Sequence, residues 1–312
     1  MQNLIQEYSV SSQYYAPRGK ERLLFLGEQI AHQHLHYTDK LIGIVGDAGS
    51  GKSSLIKGMF PGLELANDDD VLNPRKIMQF RDPFEDLSDA STYHMDIRFQ
   101  MAFLQMFELV DFVERVLAQN RRVIIEHFNL LYPALGVNAD LLIGIGEEII
   151  VSRPSVFGPL PDSIYSIVHQ SQKYRKMAHT AEELTILVLE EEMGIFTDFY
   201  YSSDIRCGFV LRFYNEIELD FDYLAQRIHE LIAKSCPVAY YDEDHIKVGE
   251  RILPCSGARI HVQNTAEIED FHLVRHFVHD PQNNTYCLVG LIGDTDSDLS
   301  NRNTIHFFKR NE

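Results

Sequence analysis

The chain has 312 residues, of which 45% are hydrophobic and 24% charged, and a formal net charge of −18. That length gives room for about two domains, each with its own core. The acidity is spread over both halves, which excludes broad nonspecific nucleic-acid binding, because counterion release needs clustered Lys and Arg. No run of about 18 apolar residues is present and the N-terminus lacks a basic segment followed by an apolar one, so neither a membrane span nor a secretory signal is expected and the expected location is cytoplasmic.

In chain order, residues 12–37 read as largely helical, with Leu23, Leu24, Phe25, Leu26 and Ile30 as the apolar face. His32, His34 and His36 alternate at its end; on a helix a spacing of two splays side chains apart, so they read as an exposed helix end rather than a metal tract. Leu41-Ile42-Gly43-Ile44-Val45 reads as a buried parallel strand. It runs into Gly46-Asp47-Ala48-Gly49-Ser50-Gly51-Lys52-Ser53, which fills every fixed position of the pattern G-x-x-x-x-G-K-[ST]. Glycines let backbone N–H groups converge on phosphates, and the following helix, opening at Ser54, presents its positive end to them. Lys52 is expected to reach the β- and γ-phosphates and Ser53 to ligate Mg²⁺. The chain is therefore expected to bind ATP or another nucleoside triphosphate.

Leu63–Asn67 reads as a short second strand ending in Asp68-Asp69-Asp70, where acid groups would face the ligand crevice of an open sheet. Residues 93–119 carry apolar residues at helical spacing and read as one or two helices, with His94 and Arg98 one turn apart as candidate substrate contacts. Val123-Ile124-Ile125-Glu126 is a second buried strand with a charged tip. Further strand material at 141–145 and 148–151 ends in the proline- and glycine-rich stretch 152–161, the best linker candidate. Lys173, Arg175 and Lys176 form the densest basic cluster. Beyond them a helix from Thr180 to Met193, strands, a helix from Phe221 to Lys234 and short strands describe an α+β unit. Four scattered cysteines, Cys207, Cys236, Cys255 and Cys287, fit reduced thiols.

The order of strand, phosphate loop, helix, acidic strand end and Val123–Glu126 resembles the uridine kinase and phosphoribulokinase branch of phosphate-loop kinases, over about the first 175 residues. The resemblance implies an α/β kinase-like domain with a parallel sheet, over 1–160, and a lid or linker over 161–177. It implies an acceptor-activating Asp among Asp68, Asp69 and Asp70, with Asp69 as base and Asp68 near Mg²⁺. It also implies Glu126 beside Mg²⁺ or its waters, and lid cations at Lys173, Arg175 and Lys176, of which Arg175 serves the transferring phosphate.

From about His179 onward, His179-Thr180-Ala181-Glu182-Glu183-Leu184, Leu211-Arg212-Phe213 and Cys255-Ser256-Gly257 with His261–Ile268 resemble the second additional, editing, domain of alanyl- and threonyl-tRNA synthetases, over 178–312. The resemblance implies a zinc site. Here Glu183 stands in place of the second His of H-x-x-x-H, Arg259 lies four after Cys255 and His261 six after. His179, Glu183, Cys255 and His261 are the candidate ligands, since a helix puts His179 and Glu183 on one face. His272 and His276 read as structural. The leading expectation is an ATP- and Mg²⁺-dependent phosphotransferase acting on a small molecule or an RNA-linked group. The alternatives are a metal-dependent hydrolase of aminoacyl-tRNA gated by nucleotide, and a nucleotide-switched binding module without turnover.

Overall fold

The computed structural model describes residues 11–63 and 92–293, together with 299–300 and 302–303. The chain is a mixed α/β protein in two compact units: residues up to Ala16 with Lys20–Gln172, and Pro17–Gly19 with Lys173 onward. Among the described residues, no helix is long and apolar enough to cross a membrane.

The first unit is built on a six-stranded sheet. In chain order come β1 (Ser11–Tyr15), α1 (Lys20–His34), β2 (Leu41–Val45), α2 (Lys52–Met59), β3 (Thr92–Asp96), α3 (Ile97–Gln100), α4 (Met106–Ala118), β4 (Arg122–Glu126), α5 (Phe128–Leu135), β5 (Leu141–Ile145) and β6 (Glu148–Ser152). The strand order is β1-β6-β5-β2-β4-β3. β5, β2, β4 and β3 run parallel to their neighbours, whereas β6 returns antiparallel to β5 and β1 antiparallel to β6, so the sheet is mixed. The continuous apolar runs of β2 and β5 are buried throughout, as expected of strands covered on both faces. Leu109, Phe112, Val113 and Val116 form the buried stripe of α4 at spacings of three and four; each contributes roughly 1.5–3 kcal/mol of apolar burial.

Two expectations change here. Tyr93–Asp96 is not the start of a helix but the edge strand β3, and helical spacing takes over only at Ile97. The stretch 152–161 is not a linker: Ser155 and Gly158 close a tight turn, and Pro161 opens the 33-residue helix α6 (Pro161–Met193). The division between units falls within α6, after Gln172.

The second unit combines α6 from Lys173 onward with β7 (Tyr200–Ile205), β8 (Gly208–Phe213), α7 (Phe221–Ala233), β9 (Val238–Asp242), β10 (His245–Val248), β11 (Arg251–Pro254), β12 (His272–Leu273), β13 (Val278–Asp280) and β14 (Thr285–Leu291). The strands form separate antiparallel sheets, β12-β14-β8-β7 with β13 on β14, and β11-β10-β9. Leu184, Val188, Phe209, Leu211, Phe213, Leu224, Ile228 and Leu288 supply much of its core. Asp220 caps α7 by accepting from the Tyr223 N–H.

Candidate functional site

In the first unit, the loop between β2 and α2 takes conformations that only glycine adopts without strain. Gly46 (φ 152°) leaves 2.6 Å between an added Cβ and the Ile145 carbonyl oxygen, and Gly51 (φ 98°) leaves 2.4 Å to Leu23 Cδ2. Lys52, the first residue of α2, folds its Nζ back to donate to the carbonyls of Gly46 (3.2 Å) and Asp47 (2.7 Å). Burial lowers the Lys52 pKa, while the charges of Glu126 and Asp96 work the other way. Asp47 accepts from Tyr165 Oη (3.2 Å) and lies 2.9 Å from His169 Nδ1, both on α6.

Glu126 arrives at the end of β4, opposite Ile44 of β2 on one side and Asp96 of β3 on the other. Parallel pairing therefore gathers three strand ends beside the loop, where open α/β sheets place ligands. Ser53 Oγ donates to Glu126 Oε1 (3.2 Å), His94 Nε2 lies 3.1 Å from the same oxygen, and Lys52 Nζ lies 3.8 Å from Oε2. Burial resists ionisation of Glu126, yet the hydrogen bond and charge of His94, with Lys52, hold its carboxyl below the usual range. The neighbouring Asp96 is pushed up by burial and by the Glu126 charge, even though one of its oxygens caps the Phe99 N–H. His127, one residue past β4, is held neutral, its pKa lowered to about 4 by burial and by Lys52.

Lys52, Ser53 and Glu126 thus come together as the sequence predicts. Asp68, Asp69 and Asp70 lie outside the described residues. His94 is not a helical partner of Arg98: it sits buried on β3 and holds Glu126, while Arg98 is exposed on α3. The basic trio does not form a lid loop, because all three residues belong to α6. Arg175 is 1% exposed and donates to the Pro17 carbonyl (2.7 Å), and Lys173 pairs with Glu269 (3.5 Å). Asp96 and His127 also stand at these strand ends, signalled in the sequence only by an acid ending the alternating run Tyr93-His94-Met95-Asp96.

The second unit brings its predicted ligands together. Cys255 Sγ lies 3.4 Å from His179 Nε2 and 3.2 Å from His261 Nε2, and the three donor atoms are all within 4.8 Å of one another. One helical turn from His179, Glu183 Oε1 is 3.4 Å from its Nε2, and Glu183 also hydrogen-bonds Cys255. The outer hydrogen bonds set the tautomers. His179 Nδ1 faces the Ile260 carbonyl (2.9 Å), an acceptor only, so Nδ1 carries the proton. Thr180 Oγ1 gives its single proton to the Lys176 carbonyl (2.9 Å), so His261 Nδ1, 3.2 Å away, must be the donor to it. In their neutral forms both imidazoles then turn Nε2 toward the Cys255 sulfur, the orientation in which histidines hold a metal.

Burial pushes the Glu183 carboxyl up to about 7, while burial and the Glu183 charge raise the Cys255 thiol, so without metal both acids resist losing their protons. Burial lowers the His261 pKa, favouring the neutral ring. A zinc ion accepts two imidazoles and a thiolate, with a carboxylate as a suitable fourth ligand, so the residues fit it. Arg259 is not among them, its guanidinium lying over the Tyr240 ring at 4.9 Å. Next to Glu183 on α6, Glu182 pairs with the buried Arg18 (2.9 Å), whose guanidinium also meets Asp204 (2.8 Å).

In sequence comparisons the chain matches no protein-family model and no curated protein, so the chemistry rests on the side chains themselves.

Proposed function

We propose that the chain is an ATP-dependent phosphotransferase, with the nucleotide and Mg²⁺ held in the first unit and the acceptor recognised by the second. One observation carries this reading: Lys52 and Ser53 of a complete phosphate loop meet an ionised Glu126 from the neighbouring parallel strand. Phosphoryl transfer is mostly positioning and charge neutralisation, and these three groups supply it. Lys52, now bonded to loop carbonyls, would exchange those for β- and γ-phosphate oxygens. Ser53 and Glu126, now bonded to each other, would share Mg²⁺ and its waters instead. Mg²⁺ supplies charge neutralisation on the transferring phosphate, and the acceptor base is sought first at Asp69, as the kinase resemblance implies. The acceptor is a small molecule or an RNA-linked group such as aminoacyl-tRNA. The test is ADP formation with nucleosides, amino acids and aminoacyl-tRNA as acceptors; turnover unchanged in Lys52→Ala would refute the proposal.

A second reading is favoured by the two imidazole Nε2 atoms that converge on the Cys255 sulfur. It makes the second unit a zinc-dependent module acting on the ester of aminoacyl-tRNA, gated by nucleotide. His179, Cys255 and His261 would hold the zinc with Glu183, and the zinc would supply Lewis acidity. Metal analysis decides: absence of stoichiometric zinc, with deacylation unaffected by His179→Ala, would exclude it.

A further inference from the structure

Phosphoryl transfer requires the reacting hydroxyl to reach the phosphate loop, whatever part of the acceptor the second unit recognises, so its subsite belongs at the strand ends of the first unit. Two buried side chains there carry unused hydrogen-bonding atoms. Gln100 is 1% exposed, and neither its Oε1 nor its Nε2 has a partner among the described residues; Asn129 is 8% exposed, and its Oδ1 has none. Buried amide groups are almost always paired, and leaving them bare is costly unless a ligand completes them. The backbone sends both toward one place. α3 follows β3 directly and α5 follows β4 after His127, while β3 and β4 are parallel neighbours with Asp96 opposite Glu126. Gln100 shares the buried face of α3 with Ile97, and α3 packs on α5 and on both strands. Helical side chains lean toward the helix N-terminus, so Gln100 reaches back over the end of β3, and Asn129, the second residue of α5, over the end of β4. Neighbouring strands lie about 5 Å apart, so the two amides overhang one crevice. Arg98, also on α3, is exposed and makes no hydrogen bond or ion pair with a described residue. Burial is the main influence on Lys52, His127 and Tyr165, and the Arg98 charge also acts on all three, which sets its guanidinium on the loop side of α3.

We propose that Gln100, Asn129 and Arg98 form the acceptor subsite, and that the acceptor is a small hydroxylated carboxylate. The inference rests on the phosphotransfer reading and narrows its acceptor to a small molecule. A hydroxyl both donates and accepts, so hydroxyl groups satisfy Asn129 Oδ1 and both halves of the Gln100 amide. Arg98 adds a planar fork that matches a carboxylate. A carboxylate brings one negative charge to one guanidinium, whereas a phosphate monoester brings more charge beside the ionised Glu126.

The test uses the full-length protein with Mg²⁺ and ATP and reads ADP formation with L-serine, gluconate, glycerol 3-phosphate and uridine. Calorimetry reads the binding of each in the presence of a non-hydrolysable ATP analogue. Serine or gluconate is expected to be bound and phosphorylated in preference to the other two. Gln100→Met keeps the side-chain length but removes both amide atoms, and is expected to weaken binding of that acceptor about tenfold, as is Arg98→Gln. Without acceptor, Gln100→Met is expected to raise the unfolding temperature by about 2–4 °C, because an unpaired buried amide is removed, a gain that misfolding cannot imitate. A lower unfolding temperature overturns the proposal, since it shows the amide paired within the fold. Preference for glycerol 3-phosphate or uridine, or binding of none of the four, overturns the acceptor class. ADP formation whose acceptor dependence both variants leave unchanged overturns the subsite while leaving the phosphotransfer reading intact. Binding of serine or gluconate that both variants weaken, with no ADP formed, does the reverse.

Discussion

Replacing Glu183 with Gln in zinc-free protein gives a direct reading of how the second cluster is closed. The Glu183 side chain is 12% exposed, and burial pushes its carboxyl from an ordinary 4.5 up to about 7. The unfolded chain releases this proton near 4.5, whereas the folded chain keeps it until about 7, so between those values the folded state binds more protons. Stability from this group is therefore fully present below pH 4.5 and is lost as pH rises through 7. At about 1.4 kcal/mol per pH unit, the interval amounts to roughly 3 kcal/mol. Gln keeps the shape and a donor but cannot ionise. Urea denaturation followed by circular dichroism, in chelator at pH 5, 6, 7 and 8, should show wild type falling behind Glu183→Gln by roughly 1.4 kcal/mol per unit up to pH 7, then levelling. Saturating zinc at pH 8 should reverse the order, because the metal replaces the protons that wild type has lost. A wild-type-minus-variant difference that stays constant from pH 5 to 8 would refute the reasoning.

Zinc binding at pH 6 should release a proton from Cys255 and another from Glu183, measured by calorimetry in buffers of different ionisation enthalpy; no release would contradict the proton-closed cluster. Glu126→Gln should lower kcat by about 10²–10³-fold, as for loss of one preorganised electrostatic group, while equilibrium dialysis finds ATP affinity little changed; unaltered kcat would remove Glu126 from the site. Arg18→Met leaves the buried Glu182 without its cation and should cost about 3–5 kcal/mol, read as an earlier unfolding transition of the second unit. Gly51→Ala combines a strained φ of 98° with the close approach to Leu23 and should cost about 1–3 kcal/mol together with ATP affinity, read by thermal unfolding with and without ATP.

The two clusters differ in how much of them a linear reading reaches. The phosphate loop is legible because its function depends on backbone conformation over eight consecutive residues, and glycine positions report that conformation directly. Glu126 follows from the same logic, as the acid ending a continuous apolar strand. His179 and Glu183 are legible as neighbours on one helical face, but their meeting with Cys255 and His261 was implied only by the editing-domain resemblance, since no local pattern brings residues 76 apart in sequence to 3.4 Å. Arg175 misled for the complementary reason: its charge reads as solvent-facing, whereas the carbonyl that satisfies it belongs to Pro17, 158 residues earlier.

Asp96 and His127 were hidden by two separate ambiguities. Four apolar and polar residues from Tyr93 to Asp96 fit a helical period as well as an alternating one, and the helices that follow tip the reading toward helix. Only the register with β4 shows that the run is a strand and that its acid lies beside Glu126. His127 occupies a left-handed backbone position between β4 and α5, which His tolerates better than most residues but does not announce. That turn matters chemically: it places an imidazole next to a carboxylate already engaged by Ser53, His94 and Lys52. Glu126 thereby ties the strand ends to the phosphate loop, meeting Ser53 and Lys52 from the loop and His94 from β3. A nucleotide that draws Lys52 away would remove a charge that holds the Glu126 carboxyl low, so nucleotide binding and the protonation of Glu126 should each alter the other.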